Sequence, residues 1–165
     1  MAKVRTLSRF YMKGHPKAGE PTFFVEKFLN SMNLPYPSEY FWTFVAGTGN
    51  EEIFNTELLK GHTIRMGRHF MPVDELTLAV WSGVPYRSKQ IKLWTGDIRA
   101  VDIEIVVLAK DYISFIEADK DTPPIDVFKL ATNDGLSPQD FIDWFKLPIG
   151  IHEAQILIWN KDINY

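Results

Sequence analysis

The chain has 165 residues, of which 45% are hydrophobic and 24% charged, and its formal net charge is −3. These values are typical of a single globular domain with a substantial core, and the negative charge argues against a protein that coats nucleic acid non-specifically. There is no cysteine, which excludes disulfides, thiolate catalysis and cysteine-based zinc sites.

The spacing of the histidines and the length of the apolar runs limit the cofactors and the location that we expect. The four histidines lack the tight spacing of a metal site, so we expect neither a metal nor a cofactor. No apolar run is long enough to span a membrane, and no apolar signal segment opens the chain. We therefore expect a cytoplasmic protein with no membrane partner, and the sequence leaves its oligomeric state open.

The first part of the chain combines one strand, a loop and two helices. Val4 to Met12 reads as a strand, and a loop rich in Gly and Pro follows it. A helix is predicted from Thr22 to Met32, and the aromatic run at 40–45 is expected to be buried. Asn50 is a candidate cap for a second helix, which we expect to end at Lys60.

A polar cluster follows this predicted helix. Gly61 makes a turn, and a strand begins at His62. Since side chains alternate along a strand, Thr63 and Arg65 share one face, whereas His62 and the apolar residues at 64 and 66 share the other. With Lys60 beside them, Thr63 and Arg65 suit an anionic or carbonyl-bearing ligand.

The second part of the chain alternates between strands and short helices. We predict strands at 75–80, 90–94, 99–108, 112–116 and 154–159, and helices at 123–131 and from Ser137 onward. The hairpin Trp81–Lys89 connects two of the strands. Because strands far apart in sequence must pair, we expect an α+β fold with a β-barrel core of about six strands and three or four short peripheral helices.

The sequence Lys60-x-x-Thr63-x-Arg65 resembles the signature of ASCH domains, which are small β-barrel domains of the PUA-like superfamily, although Leu58 replaces a usual glycine. The segment around Asp134 is similar to the one that carries the family's late acidic residue. The resemblance spans most of 51–160. It implies a single ASCH-like domain over residues 1–165, with an N-terminal extension at about 1–50.

The resemblance implies a chemistry as well as a fold. One bacterial branch of the family is an amidohydrolase that deacetylates N4-acetylcytidine. By position, its catalytic lysine, threonine and acid correspond to Lys60, Thr63 and Asp134. On this interpretation Lys60 is a base with a lowered pKa, Thr63 is the nucleophile and Asp134 protonates the leaving amine.

Three functions stay open at this stage. The first is a domain that binds RNA, a nucleotide or a modified nucleoside in a cleft at the Lys60–Arg65 strand. The second is the amidohydrolase, and the third is a non-catalytic protein-interaction module. The candidate ligand-binding residues are Arg65, His62, Tyr86, Arg87, Lys89 and Trp81.

Overall fold

A computed structural model describes residues 2–46, 59–71, 74–118, 123–163 and 165. Within these ranges the fold is α+β, with seven strands in two sheets and a few short helices. The strands are β1 Lys3–Thr6, β2 His62–Met66, β3 Glu75–Trp81, β4 Gln90–Asp97, β5 Arg99–Val107, β6 Phe115–Glu117 and β7 Gly150–Ile158. The helices are α1 Phe24–Ser31, α2 Ser38–Tyr40, α3 Val127–Asn133 and α4 Pro138–Phe145, and a π-helical segment, Phe41–Val45, continues α2.

The first sheet has the strand order β1-β3-β4. β1 runs parallel to β3 and pairs Lys3 with Leu76, whereas β3 and β4 form an antiparallel hairpin. The predicted first strand is shorter than expected, because β1 ends at Thr6 and Phe10 makes only an isolated bridge to Pro21. The segment predicted as an N-terminal extension therefore contributes a strand to this sheet.

The second sheet has the order β2-β7-β5-β6, and the three pairs in it are antiparallel. β5 follows the predicted alternation, since Ile103 and Ile105 are buried and Asp102 is exposed. β7 is apolar and buried from Ala154 onward, because it lies between β2 and β5. The predicted strand at 62–66 is confirmed, and its pairing with β7 fixes the direction of each of its side chains.

The buried residues of both sheets and the helices form a single hydrophobic cluster. In α1 the predicted stripe of Phe24, Phe28 and Leu29 is buried in it. α4 begins as predicted, since Ser137 caps it by accepting a hydrogen bond from the backbone N–H of Asp140, and proline occupies its first turn. These two helices lie beside the part of the fold that contains Lys60.

Three local predictions differ from the structure. α3 begins at Val127, after Asp126 caps it through the N–H of Phe128, and not at Pro123. In the aromatic run only Tyr40 is buried, whereas Trp42 is 73% exposed. Lys60 lies in an isolated β-bridge with Asp134 and not in a helix. Most of the helix predicted to end there, at 51–58, lies outside the described residues.

Among the helices that the structure describes, none combines the length and the apolar character needed to cross a bilayer.

Candidate functional site

A cavity of about 540 Å³ lies between β2, the N-terminal segment, the β3–β4 hairpin and the helix ends near Asp134. Six of the residues predicted to act on a ligand line it: Lys60, Thr63, Arg65, Trp81, Tyr86 and Asp134. A volume of this size suits one small ligand. The cavity therefore brings together the polar cluster of β2, the late acid and two aromatic residues of the hairpin.

A buried ion pair joins the two ends of the predicted catalytic set. Lys60 Nζ donates hydrogen bonds to the carboxylate Oδ1 of Asp134 at 2.5 Å and to its backbone carbonyl at 2.7 Å. The ammonium also lies 4.1 Å from the ring centroid of Phe24, where the face of the ring attracts a cation. Lys60 and Asp134 are 1% and 3% exposed, so bulk water screens this pair very little.

The backbone around Lys60 is fixed from several directions. Its N–H donates to the carbonyl of Lys27 at 3.1 Å, and its carbonyl accepts from Ser31 Oγ at 2.7 Å and from Trp159 Nε1 at 2.9 Å. The next residue, Gly61, is packed so tightly that an added Cβ would lie 1.9 Å from a side-chain carbon of Ile163. The glycine thus allows a close approach of the chain, and the lysine is held where Asp134 can meet it.

Asp134 is placed by the end of α3. Its N–H closes the last turn of the helix, and Gly135 follows with a φ of +77°, which is the usual way for a helix to end. An added Cβ at Gly135 would lie 3.1 Å from Lys27 Cδ and 3.2 Å from Lys60 Cβ. The prediction that this segment ends a helix is confirmed, and the glycine lets two lysines approach the acid.

Burial dominates the electrostatics of the site. It lowers the pKa of Lys60 and raises the pKa of Asp134, while the direct contact between the two groups opposes both changes. Burial and the neighbouring charge of Lys60 also lower the pKa of Lys27 to about 8. Lys27 Nζ donates to the Gly135 carbonyl at 2.7 Å, so a second buried lysine supports the loop after Asp134.

Thr63 and Arg65 face the cavity from β2, as the alternation predicts. The Thr63 hydroxyl makes no hydrogen bond with any residue that the structure describes, and its side chain is 7% exposed. Arg65 Nη2 donates to the Thr6 carbonyl at 3.3 Å and so links the two sheets. Arg65 Nε is buried and has no hydrogen-bond partner among the described residues. The Thr63 hydroxyl and the other N–H groups of Arg65 retain hydrogen-bonding capacity for a ligand.

Two aromatic residues of the hairpin form the rim of the cavity. The rings of Trp81 and Tyr86 lie 5.3 Å apart at an angle of 51°. Tyr86 is 89% exposed and has a φ of +63°, a conformation that costs free energy for a residue with a side chain. Backbone strain of this kind clusters at functional sites, so we expect Tyr86 to be a candidate ligand contact.

Three other predicted ligand-binding residues do not line the cavity. His62 is fully buried on the opposite face of β2, where its Nδ1 lies 2.6 Å from the Tyr165 hydroxyl. Burial, followed by the charge of Lys60, lowers its pKa well below the usual value. Arg87 is exposed on the hairpin, and Lys89 makes a surface ion pair with Glu39 at 2.9 Å.

The N-terminal segment supplies residues that sequence reasoning missed. Arg9 and Lys13 line the cavity from one side, and Phe24 forms part of its floor. Asp140 in α4 holds this segment by accepting hydrogen bonds from Lys17 Nζ at 2.7 Å and from Tyr11 Oη at 3.5 Å. These residues form the N-terminal wall of the cavity. The basic character of residues 9–17 was the only sequence signal for this wall, and no local sequence pattern indicated that the segment lies beside β2.

Among the described residues no group of three or more histidine, aspartate or glutamate side chains is arranged to hold a metal ion. The cavity presents hydroxyl, ammonium, guanidinium and carboxyl groups, which bind and position organic ligands through hydrogen bonds and charge. No family model, curated protein or solved structure matches the chain in comparisons with known proteins.

Proposed function

We propose that the protein is an ASCH-like domain that binds a nucleoside, a nucleotide or an RNA nucleotide in the cavity beside β2. On this proposal the two sheets correspond to the β-barrel of the PUA-like superfamily. The signature Lys60-x-x-Thr63-x-Arg65 supports it, because all three of its named residues line the cavity.

One observation carries the proposal: a single cavity combines an aromatic rim with a polar floor. A nucleobase has a flat face that stacks on aromatic rings and edges that donate and accept hydrogen bonds. Trp81 and Tyr86 offer ring faces at the rim, and the Thr63 hydroxyl and the Lys60–Asp134 pair offer hydrogen-bonding groups below them. The cavity size of about 540 Å³ accommodates one such ligand.

The test is a calorimetric titration of the protein with cytidine, N4-acetylcytidine, the four ribonucleotides and a short single-stranded RNA. We expect at least one of these ligands to bind, and Tyr86→Ala to weaken it by roughly 5- to 150-fold, since stacking of one base contributes about 1–3 kcal/mol. Tyr112→Ala is the matched control, because Tyr112 is 58% exposed and lies away from the cavity. Absence of binding throughout, or equal affinity in both variants, would overturn the proposal.

A second candidate function is the hydrolysis of an acylated nucleoside. Lys60, Thr63 and Asp134 line the same cavity, burial lowers the lysine pKa, and burial raises the aspartate pKa. Thr63 Oγ would attack the amide carbonyl, Lys60 would accept its proton, and Asp134 would protonate the departing amine. Water would then release the acyl group from Thr63.

This hydrolase requires a rearrangement, because Lys60 Nζ donates to Asp134 in the structure. Hydrogen bonds of a catalytic site often take their working geometry only when a substrate is bound. The test measures the release of cytidine from N4-acetylcytidine by the unmodified protein and by Thr63→Val. Arg99→Gln is the control, because Arg99 is exposed and lies outside the cavity. Turnover that survives in Thr63→Val would exclude Thr63 as the nucleophile.

A further inference from the structure

The charge of the cavity is opposite to the charge of the protein. The lining contains four cationic side chains, Arg9, Lys13, Lys60 and Arg65, against one carboxylate, Asp134, among the residues that the structure describes. The whole chain carries a formal charge of −3. Because Lys60 and Asp134 are paired, they add no net charge whether the proton lies on one or the other. The excess therefore comes from Arg9, Lys13 and Arg65.

None of these three cations makes an ion pair with a residue that the structure describes. The charge of Asp134 acts on Arg65 from beyond ion-pair distance. Arg65 Nε is buried and has no hydrogen-bond partner among the described residues, so the protein does not use all the donors of this guanidinium. The Arg9 guanidinium carbon lies 3.4 Å from the ring centroid of Phe44, a contact that holds the group while leaving its N–H donors for other partners.

The backbone that carries Arg9 and Lys13 is held in place before any ligand arrives. The Arg9 carbonyl accepts a hydrogen bond from Thr22 N–H at 2.9 Å, and Tyr11 N–H donates to the Glu20 carbonyl at 2.9 Å. Lys17 then anchors the segment to Asp140. A segment whose backbone is already ordered loses less entropy when a ligand binds than a disordered segment would.

We propose that Arg9, Lys13 and Arg65 form a phosphate subsite and that the ligand of the cavity is a phosphorylated nucleoside, bound as a mononucleotide. This inference rests on the proposed function, since it takes the aromatic rim as the site of the base. A phosphate monoester carries between one and a half and two negative charges at neutral pH, so it matches three unpaired cations better than a single carboxylate does. The cavity volume of about 540 Å³ accommodates one nucleotide, and the net charge of −3 disfavours a longer nucleic-acid chain outside the cavity.

The experiment compares the affinity of the protein for a nucleoside, its 5′- and 3′-monophosphates, inorganic phosphate and a 5′-phosphorylated trinucleotide. We expect a monophosphate to bind at least tenfold more tightly than the nucleoside, with the difference shrinking as salt screens the charges. The trinucleotide should bind no more tightly than the mononucleotide. If the trinucleotide binds tenfold more tightly than the mononucleotide, the proposal of a mononucleotide ligand is overturned in favour of RNA.

Variants test the subsite itself. Lys13→Gln and Arg9→Gln remove an exposed and a half-buried cation, and they should weaken the monophosphate about tenfold more than they weaken the nucleoside. Arg65→Lys keeps the charge but loses the fork of donors, and should also weaken the monophosphate. Arg99→Gln makes the same charge change outside the cavity and should have no effect.

The outcomes separate this inference from the proposed function. Equal affinity for nucleoside and monophosphate, with the Tyr86→Ala effect intact, overturns the phosphate subsite and leaves the nucleoside-binding function. Binding of inorganic phosphate without any gain from an attached nucleoside overturns the function and keeps an anion site. Equal effects of Arg9→Gln and Arg99→Gln on the monophosphate overturn the assignment of Arg9.

Discussion

Lys60 Nζ donates hydrogen bonds to both the carboxylate and the backbone carbonyl of Asp134, although 74 residues separate the two in sequence. The pair lines the cavity and connects the segment before β2 to the end of α3. Removing one partner would leave a charge, or an unsatisfied polar group, in a place that excludes water. We therefore expect the pair to behave very differently from the ion pairs on the surface.

Lys60→Met should lower the free energy of unfolding by about 3–5 kcal/mol, because it leaves the Asp134 carboxylate buried and unpaired. The double variant Lys60→Met/Asp134→Leu should cost less than the single one, since both polar groups are then gone. Urea denaturation at neutral pH measures both. Lys89→Met is the comparison: it breaks the exposed pair with Glu39, and the cost should stay below about 1 kcal/mol. A Lys60→Met cost equally small would contradict this view of the pair.

Lys27 should make the free energy of unfolding depend on pH in the alkaline range. Burial, followed by the charge of Lys60, lowers the pKa of Lys27 from its ordinary value of 10.5 to about 8 in the folded chain. Between these two pH values the unfolded chain holds a proton that the folded chain has released, so the free energy of unfolding should rise with pH. Each unit of the pKa difference corresponds to about 1.4 kcal/mol.

The measurement is the free energy of unfolding of the unmodified protein and of Lys27→Met from pH 7 to 10.5. As the pH rises from about 8, the free energy of unfolding of the unmodified protein should increase relative to that of Lys27→Met. Subtraction of the curves removes the titration of groups common to both chains. Parallel curves over this range would show that the pKa of Lys27 is not lowered by folding.

Gly135 should not tolerate a side chain. Its φ of +77° disfavours any other residue, and an added Cβ would crowd Lys27 and Lys60 at 3.1 and 3.2 Å. Gly135→Ala should therefore lower stability by more than the roughly 1–2 kcal/mol that a left-handed conformation costs alone. Gly19→Ala supplies that reference value, because Gly19 has a φ of +87° with nothing within 4 Å of its added Cβ. Equal costs would mean that the two lysines move aside freely.

Asp140 should make the N-terminal wall sensitive to acid. Burial raises its pKa, but hydrogen bonds from Lys17 and Ser137 outweigh burial and hold the pKa below its usual value of 3.8. A lowered folded-state pKa contributes stability above the unfolded value, and this contribution is lost as the pH falls through the folded value. We expect the protein to lose stability below about pH 4 in part because this carboxylate is protonated.

Asp140→Asn tests this directly. The variant should lose about 1.5–3 kcal/mol at pH 7, the usual range for hydrogen bonds to a charged group, and its stability should fall less steeply below pH 4. Asp143→Asn, in the same helix and hydrogen-bonded only to Gln139 Nε2 at 3.2 Å among described side chains, should change little. Identical acid profiles for Asp140→Asn and the unmodified protein would exclude the carboxylate as the acid-sensitive group.

The parts of the site that local patterns specify were predictable. Alternation along β2 placed Thr63 and Arg65 on one face, and the Asn133-Asp134-Gly135 sequence marked the end of α3. The prediction that Thr63, Arg65 and Asp134 face the same cleft came from the family resemblance, because no local pattern connects the two segments. His62 shows the limit of the same pattern: it lies on β2, but on the face that packs against Tyr165.

The N-terminal wall could not be read from the sequence. β1 pairs with β3 in parallel across more than 70 residues, and such a pairing has no turn or spacing that marks it locally. Arg9 consequently looked like an ordinary charged residue, because its contact with Phe44 depends on that long-range arrangement. The helix predicted from Pro123 begins later, at Val127, for a different reason. Pro124 disfavours a helical conformation of the residue before it, and the residue that caps the helix is Asp126.

The sequence distance between Lys60 and Asp134 also has a consequence for how the protein is made. At typical rates of synthesis, about 5–20 residues per second, Asp134 is added roughly 4–15 s after Lys60. Until then the lysine has no acid to pair with, and the cavity lacks the part of its lining that the pair forms. Contacts of this range also slow folding itself, because the chain must order a long loop before it gains the interaction. Because β2 also pairs with β7, which follows Asp134 in the chain, we expect the walls of the cavity to assemble only when almost the whole chain has been made.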